Sequence, residues 1–468
     1  MTTNTTATRR KGTKRESRGP ESKALIGKPT KAAEAEFAGL KRKITERKAR
    51  IAVIGLGYVG LPLAVEFAKS GFRVTGIDTD TGKVDRVNAG VSYIQDVPAK
   101  ELRREVSSGR LSATADFSVL REIDCISICV PTPLRKTRDP DVSSIVNATR
   151  EIARYLHPGE LVLLESTTYP GTTDELILPM LEETGLKVGK DFFLGFSPER
   201  VDPGNKSFMT SNIPKVVGGV TARCTEVAAE IYKTSVSTVV PVSSTKVAEM
   251  VKLLENTFRS VNIGLVNEIA LMCDKMKIDV WEVIEAAASK PFGFMPFYPG
   301  PGLGGHCIPI DPFYLSWKAK LSGFEARFIE LAGQVNSSMP YHVVSKVSEA
   351  LNSVRKSVNG ARILLLGVAY KADVDDSRES PALDIYQMLT SLGAEVWYSD
   401  PHISELKTER FQIRSKPLTA ELLEKADCVV ITTAHSAFDY GLIASRARLI
   451  FDSRNALKGM KAKKIWRL

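Results

Sequence analysis

Long apolar runs are missing from this sequence of 468 residues. None approaches the ~20 residues that a helix needs to cross a bilayer, and the polar N-terminus lacks the apolar stretch of a secretory signal peptide. We therefore expect no membrane insertion and no secretion. A cytoplasmic protein is the expectation that remains.

Cysteine is also scarce. The six cysteines are Cys125, Cys129, Cys224, Cys273, Cys307 and Cys428. Their spacing matches neither a metal-ligand motif nor a disulfide framework, and the pair in the apolar run CISICV is typical of small core residues. The sequence therefore predicts no metal site.

An excess of one charge exists only at the N-terminus. The formal net charge is +10, and residues 1–50 hold fifteen Lys/Arg and five Asp/Glu, so the remainder carries equal numbers of the two signs. A basic tail can contact nucleic acid or anionic lipid nonspecifically, but this one lacks interleaved aromatic residues and any binding motif. We expect a disordered tail over residues 1–32 and no specific nucleic-acid partner.

Two alternating α/β patterns follow the tail. Phe37, Leu40 and Ile44 recur at helical spacing and predict a leading helix over 33–48. Apolar strands are predicted at 51–55, 73–78, 125–130 and 161–164, with a helix at 61–70. This pattern indicates a first Rossmann domain over 33–241.

The middle of the chain is helical. Residues 245–288 contain Gly264 as their only glycine or proline and predict one long helix or two joined helices, within a central domain over 242–345 that joins its neighbours and pairs subunits. Strands at 362–367, 395–400, 428–433 and 449–452 then predict another α/β domain over 346–468. The expected fold class is α/β, with two Rossmann-like, doubly wound parallel-sheet domains joined by a long central helical domain.

A glycine motif opens the first domain. Gly55, Gly57 and Gly60 fit GxGxxG between a strand and a helix, and Asp78 ends the next strand eighteen residues later. Such glycines let the backbone approach a pyrophosphate at a helix N-terminus, and the carboxylate suits ribose hydroxyls. Because an anion there would repel a 2′-phosphate, the motif favours NAD over NADP.

A cysteine lies in a second glycine-dense segment, GPGLGGHCIPID at 300–311. Small neighbours leave the Cys307 thiol accessible, and Asp311 is an acidic group four residues further on, so the segment indicates a nucleophile with a partner for protons. The alternative is a structural loop with an incidental thiol. His306 is equally explained as a base, a substrate contact or a hydrogen-bonded loop residue.

Seven segments occur together in one order: GLGYVGLPLA, VPTPL, ESTTYPGTT, SPER, KLLEN, GPGLGGHCIPIDP and GVAYKADVDDSRESPA. From about residue 35 to the end, the chain resembles the UDP-glucose/UDP-mannose dehydrogenase family, with most likeness to its UDP-N-acetylglucosamine 6-dehydrogenases. The resemblance implies an NAD-dependent oxidation of a sugar C6 hydroxyl to a carboxylate through a cysteine thiohemiacetal and thioester. UDP-N-acetylglucosamine is the substrate we expect.

The resemblance also assigns roles to residues. The implied catalytic residues are Cys307, Lys252, Asn256, Glu199, Asp311 and Thr132. The implied cofactor contacts are Gly55, Gly57, Tyr58, Val59, Gly60, Asp78, Lys83, Thr132, Glu165 and Arg378. The implied substrate contacts are Arg200, Val201, Lys252, Asn256, Arg259, Gly304, Lys371 and Arg454.

Some alternatives stay open. Ile310 and Pro203 stand where some UDP-glucose members carry Lys and Glu, which argues against UDP-glucose. The alternative substrates are UDP-N-acetylmannosamine, UDP-N-acetylgalactosamine and UDP-glucose. A single-step hydroxyacid dehydrogenase also joins a Rossmann domain to long helices, but it needs no cysteine. The Tyr314/Lys318 pair of a short-chain reductase lies far from the first Rossmann unit, and a non-catalytic binder has only the basic tail in its favour.

Overall fold

The computed structural model describes residues 30–94, 96–135, 139–201, 210–305, 307–408 and 411–468. Most of the predicted tail therefore lies outside the described residues, as do His306 and Pro203. Helix α1 (Lys31–Thr45) starts two residues before the predicted leading helix and ends three residues before its predicted end, with the Thr30 side chain capping its first turn.

An eight-stranded sheet forms the first domain. Its strands are β1 (Arg50–Ile54), β2 (Arg73–Ile77), β3 (Leu111–Thr114), β4 (Cys125–Ile128), β5 (Leu161–Leu164), β6 (Phe193–Phe196), β7 (Lys215–Gly219) and β8 (Val239–Pro241). They lie in the order β3-β2-β1-β4-β5-β6-β7-β8. All pairs are parallel except β6 with β7. The order reverses direction between β1 and β4, and in such sheets ligands bind in the crevice at that point.

Helices cover both faces of this sheet. They are α2 (Gly60–Lys69), α3 (Thr81–Asn88), α4 (Ala99–Ser107), α5 (Ser143–Tyr155), α6 (Leu178–Glu182) and α7 (Ala222–Tyr232), with a 3₁₀ helix at Phe117–Glu122 and a π-helical turn at Thr173–Ile177. Alternate residues of β1 enter opposite cores: Ile51 and Val53 one, Ala52 and Ile54 the other. Burial on both sides explains why these strands read as continuous apolar runs.

Two long helices form the middle of the molecule. The segment predicted as one or two helices is two, α8 (Thr245–Met276) and α9 (Val280–Ala288), because Lys277 adopts a left-handed conformation with φ 58° that ends the first. Helix α10 (Asp311–Leu321) follows the cysteine loop, and α11 (Arg327–Ser353) packs along α8. The Cβ that a larger residue would place at Gly264 of α8 would lie 3.0 Å from the Ala332 Cβ of α11, so the two helices cross closely.

The last domain holds a second parallel sheet. Its strands are β9 (Arg362–Leu366), β10 (Glu395–Ser399), β13 (Cys428–Ile431), β14 (Ile450–Asp452) and β15 (Ile465–Arg467), in the order β10-β9-β13-β14-β15. A small hairpin pairs β11 (Glu405–Lys407) with β12 (Gln412–Arg414), and the helices are α12 (Pro381–Ser391), α13 (Ala420–Lys425) and α14 (Tyr440–Arg446). The predicted fold class is confirmed.

None of the described helices combines the length and apolar character that crossing a bilayer requires.

Candidate active site

The glycine turn at 55–60 leaves the end of β1. Gly55 has φ 93°, and a Cβ there would lie 2.6 Å from the Cys129 carbonyl oxygen, while a Cβ at Gly60 would lie 1.8 Å from the Gly55 carbonyl oxygen. Packing therefore requires the first and third glycines. A Cβ at Gly57 would meet nothing within 4 Å. That space beside the turn suits a cofactor pyrophosphate.

The start of α2 and the end of β2 complete this crevice. No described side chain caps the N-terminus of α2 after Val59, so its first N–H groups and its positive dipole end face the turn. Asp78 is buried, and its carboxylate accepts hydrogen bonds from the Leu56 N–H at 2.8 Å and from the Lys83 ammonium at 3.3 Å. These residues fit the diphosphate and ribose of a dinucleotide.

The cysteine loop bridges the central and last domains. The Gly300 N–H donates to the buried Asn267 side chain of α8, and Asn267 in turn donates to Asn336 of α11. Beyond the loop, the Asp311 N–H donates to the Cys307 carbonyl at 2.8 Å and opens α10. Both ends of the loop are thus held by the central helices.

Close packing explains the glycines of this loop. A Cβ at Gly304 would lie 2.7 Å from the Glu379 carbonyl oxygen, and one at Gly305 would lie 2.8 Å from the Tyr370 ring. The Gly305 N–H donates to the Arg378 carbonyl at 3.1 Å, and the Arg378 guanidinium lies 5.0 Å from the ring centre of Tyr58 in the glycine turn. One segment of the last domain therefore contacts both the cysteine loop and the nucleotide turn.

Three of the predicted catalytic residues, Lys252, Asn256 and Asp311, lie close to Cys307. Lys252 and Asn256 lie one turn apart on α8; the Lys252 ammonium donates to the Glu199 carbonyl at 2.5 Å, and the Asn256 amide donates to the Asp311 carboxylate. Lys252 and Asp311 are buried, at 8% and 2% exposure. A lysine that merely extended its ammonium to solvent would not be buried in this way.

Charges tune the Cys307 thiol. Cys307 is the one exposed residue among the six cysteines, all of which are described. The protein around its sulfur nevertheless removes water, which raises the pKa of the Cys307 thiol to about 11, and the Asp311 carboxylate adds to this effect. The cations Lys252, Arg259 and Arg378 oppose it. The thiol is therefore protonated at neutral pH in the free protein.

Burial also raises the pKa of Asp311, to about 6, although Lys252 and the hydrogen bond from Asn256 act in the opposite direction. A carboxyl with that value can exchange a proton near neutral pH.

Glu199 lies in a cluster of three charged residues with Glu165 and Lys215. The sequence motifs named the two glutamates but not the lysine. Lys215 donates to Glu165 at 2.7 Å and to Glu199 at 3.2 Å. Burial alone would raise the pKa of Glu199, but Lys215, Lys252 and two backbone N–H groups outweigh it and lower that pKa. Lys215 was missed because only its position at the start of a fully buried strand distinguishes it.

Thr132 and a missed tyrosine join the first and central domains. Thr132 follows β4 at the crevice, and its carbonyl accepts a 2.8 Å hydrogen bond from the hydroxyl of Tyr314, which is fully buried on α10. Tyr314 was not predicted to be the catalytic tyrosine of a short-chain reductase. The structure agrees, because the Tyr314 hydroxyl is hydrogen-bonded to backbone carbonyls.

The predicted substrate contacts occupy several environments. Arg200 pairs with Glu255 of α8 and donates to the Pro214 carbonyl, and the Val201 N–H donates to Glu199. Arg259 is exposed near the cysteine, and Lys371 is half-buried after β9. Arg454 donates to the Thr432 carbonyl, and burial lowers its pKa to about 10, so it remains charged at neutral pH.

A cleft of about 320 Å³ borders Arg454. Its walls are Trp281, Glu285, Tyr298, Pro299, Arg454 and Asn455. The rings of Trp281 and Tyr298 are nearly parallel, at 15°, with centres 6.3 Å apart. Aromatic faces beside a cation suit a planar, anionic ligand.

One group of described residues has metal-ligand chemistry. Ligand atoms of Asp373, His402 and His435 lie within 4.8 Å of one another. However, one ring nitrogen of His435 accepts the Asp373 N–H and the other faces the Asp400 carboxylate at 3.0 Å, so hydrogen bonds explain its position. The absence of a metal site stays a prediction of the sequence.

Comparison with known proteins gives one family along most of the chain. The NAD-binding domain of the UDP-glucose/GDP-mannose dehydrogenase family matches residues 49–236, its central domain 246–338 and its UDP-binding domain 364–459. The second sugar in this description is GDP-mannose, whereas the motif resemblance above names UDP-mannose.

Individual relatives are similar over more than nine-tenths of their own length. UDP-N-acetyl-D-glucosamine 6-dehydrogenase of Pseudomonas aeruginosa is 37% identical, over 83% of this chain and 91% of that protein. UDP-N-acetyl-D-mannosamine dehydrogenase of Pyrococcus horikoshii is 36% identical, over 87% and 96%. A solved UDP-D-ManNAc dehydrogenase structure from Pyrococcus horikoshii superimposes with a TM-score of 0.82 at 34% identity, covering 89% of this chain and 98% of that one.

The charges around Cys307 predict its reactivity. Replacing Asp311→Asn removes a carboxylate that raises the thiol pKa, so iodoacetamide should label Cys307 faster, by about threefold for each unit by which the pKa falls. Replacing Lys252→Met removes a cation that lowers the thiol pKa, so labelling should slow. Mass spectrometry of labelling time courses at constant pH measures both rates.

Cys307→Ser is the control for the labelled position, since the other five cysteines are buried. Slower labelling of the Asp311→Asn variant, or faster labelling of the Lys252→Met variant, would contradict this electrostatic description.

Proposed function

Because the chain belongs to the UDP-glucose/GDP-mannose dehydrogenase family, an NAD-dependent oxidoreductase family, we propose that it oxidises the C6 hydroxyl of a UDP-sugar to a carboxylate. The observation that carries the proposal is the exposed Cys307, on a loop that contacts the last domain, beside Lys252, Asn256 and Asp311.

The reaction removes two hydrides from one carbon. The glycine turn at 55–60 and Asp78 would hold NAD⁺, which would supply the hydride acceptor for each of the two successive oxidations. Between them the substrate carbon is an aldehyde, which would escape if nothing held it. A covalent bond to the protein prevents this loss.

Cys307 supplies that bond. Its sulfur attacks the aldehyde carbon to give a thiohemiacetal, and the thiol proton leaves as the bond forms, because the free thiol is protonated at neutral pH. Loss of the second hydride converts the thiohemiacetal into a thioester. Water then adds, the carbon–sulfur bond breaks, and the products are the carboxylate and the free thiol.

Lys252 and Asn256 stabilise the oxygen of the reacting carbon. An ammonium has three N–H groups and an amide two, and each uses one in the hydrogen bonds described above, so each retains a donor for the substrate. Donors aimed at a developing oxyanion contribute about 3–4 kcal/mol each where single groups have been removed from such sites. Asp311, with a pKa of about 6, takes up and returns protons.

Hydrolysis of the thioester needs a base for water. Glu199 is ionised at neutral pH, because the positive charges of Lys215 and Lys252 lower its pKa. Its side chain remains 13% exposed. These properties support Glu199 as the group that orients and activates the hydrolytic water.

The cleft beside Arg454 suits the nucleotide end of the substrate. A guanidinium pairs with diphosphate oxygens, and the Trp281 and Tyr298 rings offer faces to a uracil base. Lys371 and Arg259 are further cations for this anionic ligand. Thr132 and Lys83 retain the cofactor roles that the resemblance implies.

The sugar is the finer question. UDP-N-acetylglucosamine is our first choice, on the motif resemblance, and the two relatives above act by name on the N-acetylglucosamine and N-acetylmannosamine compounds at almost equal identity. Both of these sugars carry an N-acetyl group. This agrees with Ile310, which stands where some UDP-glucose members carry Lys and so argues against UDP-glucose.

An apolar strip on α8 supports a homodimer. Val247, Met250, Leu254, Phe258, Leu265, Met272 and Met276 are all exposed, from 39% to 59%. Their spacing places them on one face, opposite Lys252 and Asn256. The strip runs along a helix of 32 residues, which is about 48 Å long, and a second copy of the chain carries the same strip. Two chains can therefore pack these strips against each other symmetrically and bury both.

Counting NADH tests the reaction. With UDP-N-acetylglucosamine, and in parallel with the N-acetylmannosamine, N-acetylgalactosamine and glucose compounds, we expect two NADH per sugar consumed. Cys307→Ser should lose carboxylate release, while Cys273→Ser, the same change at a buried cysteine, should retain it. One NADH per sugar, or full uronate turnover by the Cys307→Ser enzyme, would overturn the covalent proposal.

The dimer is tested at the middle of the strip. Leu265→Glu places a charge in the proposed interface and should shift the mass measured by light scattering from dimer to monomer at micromolar concentration. Leu392→Glu is the matched control, since Leu392 is 51% exposed in the last domain, against 53% for Leu265. A monomeric wild type, or a dimeric Leu265→Glu protein, contradicts the proposal.

A further inference from the structure

A buried ion cluster lies behind the proposed hydrolytic base. Lys215, the first residue of β7, is 4% exposed and its ammonium contacts two carboxylates, Glu165 after β5 and Glu199 after β6. On the far side, the Tyr232 hydroxyl of α7 donates to Glu165 at 2.6 Å. Burying a lysine this deeply is unfavourable unless its partners compensate, so the cluster calls for an explanation.

The two carboxylates differ in access. The Glu165 side chain is fully buried, and its two oxygens are taken by Lys215 and Tyr232. The Glu199 side chain is 13% exposed. Only Glu199 can therefore face the reaction, and Glu165 is turned into the protein.

Glu199 is held at both oxygens. One accepts the backbone N–H groups of Arg200 and Val201, each at 2.7 Å, and the other faces the Lys215 ammonium at 3.2 Å. Among the described residues, Lys252 also lies near it and donates to the Glu199 carbonyl, Glu165 shares the Lys215 ammonium, and the buried Cys129 thiol faces both carboxylates. Without Lys215, two buried carboxylates would be left close together, and one of them would have to take up a proton.

We propose that Lys215 is a positioning residue that keeps Glu199 ionised and in one orientation, with Glu165 and Tyr232 supporting it from behind. This inference rests on the proposed function, because it concerns how the hydrolytic base is prepared. It also assigns Glu165 to this support, where the motif resemblance implies contact with the cofactor. Lys215 acts through Glu199 and touches no substrate.

The test is a direct titration of Glu199 in the free, full-length protein. Infrared spectra of each protein minus those of the same protein carrying Glu199→Gln isolate the carboxylate band of Glu199. In the wild type, Glu199 should stay ionised below the range of an ordinary glutamate. In Lys215→Met, the midpoint should rise by about 1–3 pH units, the effect expected of one opposite charge at this distance.

Lys346→Met is the matched control. Lys346 is 6% exposed and likewise contacts two carboxylates, Asp274 and Glu349, but it lies on α11 away from Glu199. The control should leave the Glu199 midpoint unchanged. A Lys215→Met midpoint equal to that of the wild type, or an equal rise in both variants, overturns the proposal.

Glu165→Gln supplies a second test if Lys215→Met does not fold. It removes a negative charge from the cluster while the amide oxygen can still hold Lys215 in place, so the Glu199 midpoint should fall, and NAD affinity should stay within twofold of the wild type. An unchanged or higher midpoint overturns the proposal, as does a tenfold loss of NAD affinity with the Glu199 titration unaltered.

Turnover separates this inference from the proposed function. In Lys215→Met, the pH below which hydrolysis of the thioester slows should rise together with the Glu199 midpoint, and hydrolysis should recover above it, because Glu199 then ionises without help; mere structural damage would not recover. A wild type that oxidises no UDP-sugar defeats the proposed function and leaves the titration to decide on Lys215. If the wild type releases uronate but the Glu199 midpoint is unchanged in Lys215→Met, only the proposed role of Lys215 is wrong.

Discussion

The site depends on the packing of the glycine-rich loop at 300–305 against the segment at 370–379. Gly304 and Gly305 lie so close to Tyr370 and Glu379 that a single Cβ would overlap them. Since the Arg378 carbonyl of the same segment accepts a hydrogen bond from the loop and its side chain reaches the nucleotide turn, all three domains meet at Cys307. The segment at 370–379 thus links the cysteine loop to the nucleotide turn.

The charged groups around Cys307 shift the pKa values of neighbouring side chains in different directions. Asp311 raises the pKa of Cys307, and Lys252 lowers it, while Lys252 together with Lys215 keeps Glu199 ionised. The arrangement leaves a protonated thiol, a carboxyl that exchanges protons near neutral pH and an ionised carboxylate within one site. A reaction that forms a carbon–sulfur bond and later hydrolyses it needs groups of these three kinds.

The apolar pattern of the sequence predicted the strands well where nearly every residue of the strand is buried. Strands β1, β4, β5 and β9 are apolar because both faces are covered, and their starts were placed within one residue. The break at Lys277 was not resolved, because a non-glycine residue in the left-handed conformation leaves no reliable sequence signal. The π-helical turn at Thr173–Ile177 gave no signal either.

Motifs named Cys307, Lys252 and Asn256, and the structure places these residues close together around Asp311, while their catalytic roles stay predictions. Motifs did not name the residues that contact this group from neighbouring elements. Lys215 and Tyr314 were missed, since what defines them is a contact across elements: an ion pair to the residue after β5, and a hydroxyl bonded to a carbonyl in the first domain. Only tertiary structure places such partners side by side.

The central claim is that Cys307 holds the half-oxidised sugar. The most direct measurement is mass spectrometry of peptides from a Glu199→Gln enzyme, quenched in acid during reaction with NAD⁺ and a UDP-sugar, because slowed hydrolysis lets the thioester accumulate. The account predicts a uronyl adduct on the Cys307 peptide. Turnover with no adduct on Cys307 at any time, or an adduct on another residue, would contradict it.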